Sequence, residues 1–226
     1  MNADEVSRRL WQVAIGLAGG LAVAGAVHCQ ELQIPGYPRA VEAYDPREVA
    51  MLPRYCIYTQ SFRDKVPGGN EQAVIDGWYE RLGPTFHALH HYCLGLMKTN
   101  RAVLLTLDPI ARRFYLADSI IEFDYVITRA ADDFLLLPEI LTKKAENLVL
   151  LGKGPLAVFE FERAIEIKSD YWPPYAYLSD YYKQAGNTKK ARELLDAGLA
   201  QVPDAKGLQR RLAELQSIAE RRGSKR

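Results

Sequence analysis

Apolar residues recur every three or four positions through the C-terminal half of the chain, the period of an amphipathic helix. Tyr175, Leu178 and Tyr182 form one such stripe, and Leu195 with Leu199 forms another. Leu208, Leu212, Leu215 and Ala219 form a third, opposite Arg210, Arg211, Glu214 and Glu220. The breaks between stripes carry turn chemistry. Gly186 accepts a left-handed backbone and Asn187 tolerates one, so the pair stops a helix. Thr188 offers a hydroxyl to cap the next helix, and Pro203 ends it. Upstream, residues 70–82 place Ala73, Val74, Trp78 and Leu82 at helical spacing, and residues 85–97 follow Gly83-Pro84, a helix-start signal. Residues 112–130 carry Leu116, Ile120, Phe123, Tyr125 and Ile127 on a broad apolar face. Residues 103–107 are a short apolar run that suits strand or helix. Residues 132–138 read as a turn.

A longer period lies over the helical one. Gly152, Ala157, Phe161 and Ala164 recur 34 residues later as Gly186, Ala191, Leu195 and Gly198. A fixed period of this length marks stacked helix pairs, each of which buries its apolar face only against the next.

The segment 175–203 resembles the tetratricopeptide repeat family. Tyr175, Leu178, Ser179, Tyr182, Gly186, Ala191, Leu195, Gly198 and Pro203 stand at the family spacing, with Gly198 where alanine is usual. Residues 138–171 form a partial repeat through Leu141, Ala145, Leu148, Gly152, Ala157, Phe161 and Ala164, with Lys144 in place of leucine and Ser169 in place of proline. The resemblance implies an all-α helix-turn-helix solenoid. It comprises a partial repeat at 138–171, a clear repeat at 172–205 and a capping helix at 206–222 that covers the last repeat and turns its polar face to water. Residues 70–137 are expected as a helical N-terminal extension, with 85–131 as a degenerate repeat. Residues 27–69 begin with Pro35, Pro38 and Pro46 and read as an extended linker with a short helix. The family binds proteins or peptides in a groove lined by the first helix of each repeat. Here the matching positions are Thr142, Glu146, Ala176, Asp180 and Lys183. Asp180 and Glu146 stand where carboxylate-clamping relatives use Lys and Asn, so that ligand is not carried over.

Composition bears on compartment and partner. Among 226 residues, 29 basic and 28 acidic side chains nearly cancel, which gives no electrostatic reason to expect nucleic acid. The only basic run, Arg221, Arg222, Lys225 and Arg226, reads as a solvated helix end. At the other terminus, Arg8 and Arg9 precede an uncharged stretch at 11–27 rich in Ala, Gly, Val and Leu. That is the layout of a bacterial export signal. Ala24-Gly25-Ala26 places cleavage after Ala26, with an uncleaved membrane anchor as the alternative. Ser7-Arg8-Arg9-Leu10-Trp11 also resembles the start of a twin-arginine signal. His28 before Cys29 departs from a lipoprotein box. Periplasm, or inner membrane facing the periplasm, is the expected location.

The sharpest chemistry is in the run Phe86-His87-Ala88-Leu89-His90-His91-Tyr92-Cys93. Three readings stand open. Cys56 and Cys93 suit a disulfide in an oxidising compartment. His87, His91 and Cys93 suit a metal or haem site, because an i, i+4 histidine pair has ligand spacing. Packing at a helix contact accounts for the same residues without either. Gly68-Gly69 lacks the Lys-Ser or Lys-Thr of a phosphate loop, and no Gly-x-Ser-x-Gly elbow occurs. The expected function is therefore a non-enzymatic scaffold or adaptor in the cell envelope, without a cofactor. It binds a protein or peptide partner, and touches the membrane only through an uncleaved N-terminus. The alternative is a metal- or haem-linked envelope protein using the histidine cluster.

Overall fold

A computed structural model describes residues 44–223. The stretch expected to be an export signal, Cys29, Pro35 and Pro38 lie outside the described residues, as do Lys225 and Arg226 and the side chains of Ala219 and Arg222. Among the described residues the chain is all-helical, with nine α-helices packed in neighbouring pairs as a helical solenoid. They are α1 (Pro46–Ala50), α2 (Gln72–Leu82), α3 (Leu89–Asn100), α4 (Pro109–Ile127), α5 (Leu137–Leu150), α6 (Gly154–Ile167), α7 (Pro173–Gln184), α8 (Thr188–Gln201) and α9 (Lys206–Gly223). No helix among the described residues is long and apolar enough to cross a membrane.

The two repeats share their turn as well as their core. Gly152 and Gly186 both have positive φ, 73° and 80°. At each, two backbone hydrogen bonds close the helix end: Lys153 N to Leu148 O and Gly152 N to Val149 O, then Asn187 N to Tyr182 O and Gly186 N to Lys183 O. This paired pattern satisfies carbonyls that the helix leaves open. The cap of α8 is Asn187, whose side chain accepts from Lys190 N at 3.0 Å. Thr188, expected as the cap, is instead the first helical residue. Inside each pair the small residues sit where the helices cross. Ala157, Ala164 and Ala191 are fully buried, and Ser179 Oγ donates to the Ala191 carbonyl. Lys144, at the family's leucine position, is spent differently. It bridges Asp124 of α4 and Glu160 of α6, so an ion-paired network replaces an apolar contact there.

Helices α3 and α4 form a further antiparallel pair stacked on α5. Gly95 allows their close approach, since a Cβ there would come within 2.6 Å of the buried Phe123 ring. Asp108 caps α4 by accepting from Ile110 N and Ala111 N, with Pro109 supplying a preset first turn. The helix expected over 85–97 is split. Residues Pro84–Ala88 form a 3-10 turn, and α3 proper starts at Leu89. The ambiguous run at 103–107 lies in a π-helical turn, Arg101–Leu105, and the loop after it.

The extended linker expected up to residue 69 is corrected over its described part. Residues 44–69 fold back onto α3 as a clasp. Tyr44, Leu52, Cys56 and Phe62 are buried with Cys93 and Met97. Tyr44 stacks on Phe62 at 4.4 Å between ring centres. Glu48 takes two hydrogen bonds from Arg101, 2.6 and 2.8 Å. Pro46 opens α1 and Pro53 precedes a 3-10 turn at Arg54–Tyr58, so the prolines start helical turns here, and Phe62 brings a large apolar surface that is stabilised out of water.

Candidate functional site

Helices α5, α7 and α9 are the first helices of successive turns of the solenoid, and their outward residues build one face. Lys143, Tyr177 and Arg211 stand 34 residues apart in sequence, one per helix. Lys143 Nζ and the Arg211 guanidinium each lie 5.8 Å from the Tyr177 ring centre. Glu146, Asp180 and Glu214 form a parallel row at the same spacing. Ion pairs lace the rows together: Lys143 to Glu146 at 2.9 Å, Arg211 to Asp180 at 2.8 Å, and Lys183 to Glu214 at 3.1 Å with Asp180 at 3.6 Å. Burial pushes the Glu146 carboxyl above its ordinary value, against the pull of Lys143. Burial and then Glu146 push the Tyr177 hydroxyl up. The face is thus partly desolvated, aromatic at its centre and charged on both sides.

Two expected groove residues do not reach this face. Thr142 is 1% exposed, and its hydroxyl donates to the Pro138 carbonyl of its own helix. Ala176 is fully buried in the cluster with Ala191 and Leu195. The reason is rotational. Each residue advances about 100° around a helix, so Thr142 and Ala176 share the packing stripe of Ala145 and Ser179 three residues on. The next positions, Lys143 and Tyr177, rotate outward. Glu146, Asp180 and Lys183 do lie on the face. Sequence reasoning missed Lys143, Tyr177 and Arg211, although the 34-residue period that ordered the core positions orders them too.

The histidines and cysteines separate into different environments. Cys56 and Cys93 are joined by a disulfide, S–S 2.08 Å with Cα atoms 5.7 Å apart, and both are fully buried. Cys93 is therefore bonded to carbon and sulfur only, and no thiolate is left for a metal. His87 lies in the 3-10 turn, not on α3, so the i, i+4 spacing with His91 is not helical. Its ring packs at 5.1 Å from Tyr79. His91 Nδ1 is bound to Glu122, which also takes a hydrogen bond from Lys98. The alternative reading of His87, His91 and Cys93 as a metal site is corrected on these grounds. Among the described residues no group of three His, Cys, Asp or Glu is placed to hold a metal ion.

His90 Nδ1 lies 3.0 Å from the His87 carbonyl oxygen. A carbonyl only accepts, so Nδ1 carries the proton and Nε2 is the free base in the neutral ring. Burial, then the neighbouring His91, lowers the His90 pKa, and the His87 carbonyl and Glu122 oppose that only in part.

No curated protein matches the chain. Residues 172–215, which span α7, α8 and the first half of α9, match the tetratricopeptide repeat family.

Proposed function

We propose that the chain is an exported bacterial protein that acts as a scaffold or adaptor in the cell envelope. It holds a protein or peptide on the face built by α5, α7 and α9, and it carries out no reaction of its own. The observation that carries this reading is the pair of rows, Lys143-Tyr177-Arg211 and Glu146-Asp180-Glu214, repeated across three helices. An extended peptide laid across such rows meets a carboxylate on one side at each step and a cation, a ring and a cation in turn on the other, a repeated surface of the kind solenoids use to recognise partners. Tyrosine and arginine are also the side chains that most often dominate binding energy at interfaces. Export is supported by the arginine pair and apolar stretch of the first 27 residues, and by a disulfide, a bond that is rare in reducing compartments. Periplasm, or the periplasmic side of the inner membrane, is the corresponding location.

The test uses the full chain as bait in solubilised envelope fractions. Tyr177→Ala and Arg211→Glu are run beside Arg192→Gln, an exposed position on α8. The reading expects an envelope protein that the wild type and Arg192→Gln retain and the two groove variants lose, with circular dichroism unchanged. Retention by all four chains, or by none, refutes it.

A further inference from the structure

A second concave site lies at the other end of the described unit, where the 3-10 turn, the start of α3 and the end of α4 meet. It is a cleft of about 460 Å3. That is within the size range of small-molecule sites. Its polar side chains come from Gln60, Thr85, His87, His90, Tyr125 and Arg129. Pro84, Ala88 and Ala131 complete its walls. Gln60, Thr85, His87 and Arg129 can each donate a hydrogen bond, the His90 Nδ1 proton is taken by the His87 carbonyl, and no carboxylate lines the cleft.

Its positive group is anchored. The Arg129 guanidinium lies 3.6 Å from the centre of the Tyr125 ring, and the His91 ring stacks on the same tyrosine at 3.6 Å. Two groups that close to one ring centre must occupy its two faces. The result is a layered stack, Arg129 on Tyr125 on His91, with the His90 ring tilted beside it at 4.3 Å from His91. The stack is fixed at both ends. Arg129 Nη1 donates to the Tyr125 carbonyl at 3.1 Å. His91 is bound by Glu122, which Lys98 holds at 2.6 Å while also pairing with Asp118. The nearby acid Glu122 is thus spent behind the stack, not in the cleft. A guanidinium has five donors, so one anchored nitrogen leaves others for a ligand. Holding a flat cation in place beforehand lowers the ordering cost of binding.

We propose that this cleft binds an oxyanion, a carboxylate or phosphate group on a small organic molecule, with Arg129 as its principal charge partner and His87 as a further donor. The site is separate from the face on α5, α7 and α9, so its failure would leave that reading untouched.

The experiment titrates the full chain with phenyl phosphate, benzoate and benzyl alcohol, and follows the imidazole C–H signals by NMR. The chain has four histidines, and single substitutions assign them. The expected result is saturable movement of the His87 and His90 signals with one or both anions and none with benzyl alcohol. Response to phenyl phosphate alone identifies phosphate as the ligand group, and response to benzoate alone identifies carboxylate. Arg129→Gln should weaken binding about tenfold or more, the loss expected for one charge-assisted hydrogen bond. Arg129 is on the surface, so its fold is checked by thermal unfolding, and Arg192→Gln serves as the unaffected control. No saturable movement with either anion, an equal response to benzyl alcohol, or unchanged binding in Arg129→Gln overturns the proposal.

Discussion

Breaking the Cys56–Cys93 bond should destabilise the folded unit far more than loss of one buried contact would. The two cysteines are 37 residues apart in sequence. Closing a loop of that length in the unfolded chain removes conformational entropy equivalent to about 4 kcal/mol at room temperature in the chain-entropy account. The loop contains the second half of the clasp, α2 and the Pro84–Ala88 3-10 turn. After reduction the clasp still holds through the Glu48–Arg101 pair and the packing of Tyr44 and Phe62, so the native structure keeps its contacts while its competitor gains freedom. For a unit of this size, each kcal/mol moves the melting temperature by about 2–4 °C, so reduction should lower it by roughly 8–16 °C. Both sulfurs are fully buried, so the bond must be reduced in denaturant and the protein refolded in reductant before measurement. Thermal unfolding by circular dichroism, with intact mass to verify the redox state, gives the comparison. A difference under about 3 °C would refute the reasoning, since loop entropy on this scale could not then be restraining the unfolded chain.

Further outcomes test the packing and the charges. Gly95→Ala should cost about 2 kcal/mol in urea unfolding despite alanine's better helix propensity, because the new methyl meets the buried Phe123 ring; a stabilised variant would contradict the close approach of α3 and α4. Asn147 is fully buried and donates to Thr99 and Ser119, which themselves donate to backbone carbonyls. Its Oδ1 has no partner, so Asn147→Leu should stay within about 1 kcal/mol of wild type, whereas Asn147→Asp should lose about 3 kcal/mol or more by burying a charge. For His90 the sign is set by its lowered pKa. Between the lowered value and the ordinary one the unfolded chain binds the extra proton, so stability from neutral His90 is full above the ordinary histidine value and is lost as pH falls through it. The slope of stability against pH near 6 should therefore be shallower in His90→Gln, and identical slopes would contradict the burial argument.

Core positions were legible because a buried stripe has to repeat wherever the helices repeat. Leu141, Ala145, Tyr175, Leu178, Ala191 and Leu195 are all buried in the structure, and each stands at a position the period marks. Both turn glycines were readable for the same reason, since their positive φ leaves little choice of residue. The groove was half legible. The period marks Lys143, Tyr177 and Arg211 as firmly as the core, but periodicity alone does not say which of two adjacent positions faces out. Thr142 and Lys143 differ by one residue, and only the helix packing decided that the first is buried.

The clasp was legible only as a short helix. Three prolines and many polar residues suggested an extended linker with a short helix over 27–69, and α1 is such a helix. The burial of Cys56 and Phe62 depends on α3 being present to receive them. The histidine run shows the same limit. Its sequence spacing fits a metal pair, yet a 3-10 turn ending at Ala88 takes His87 off the helix, and distant Glu122 and Tyr125 claim His91.

By itself, then, the sequence determined the helical class, the 34-residue stacking unit, the turns at Gly152 and Gly186 and the residues that fill the repeat core. These follow from local backbone preference and from a pattern repeated along one chain. The tertiary structure alone decided which polar side chains share a face, which of the open readings of the cysteines holds and how Arg129, Tyr125 and His91 stack beside a cleft. Those depend on contacts between residues distant in sequence, such as His91 with Tyr125 and Cys56 with Cys93, whose geometry is set by helix rotation and crossing angle and not by any local propensity.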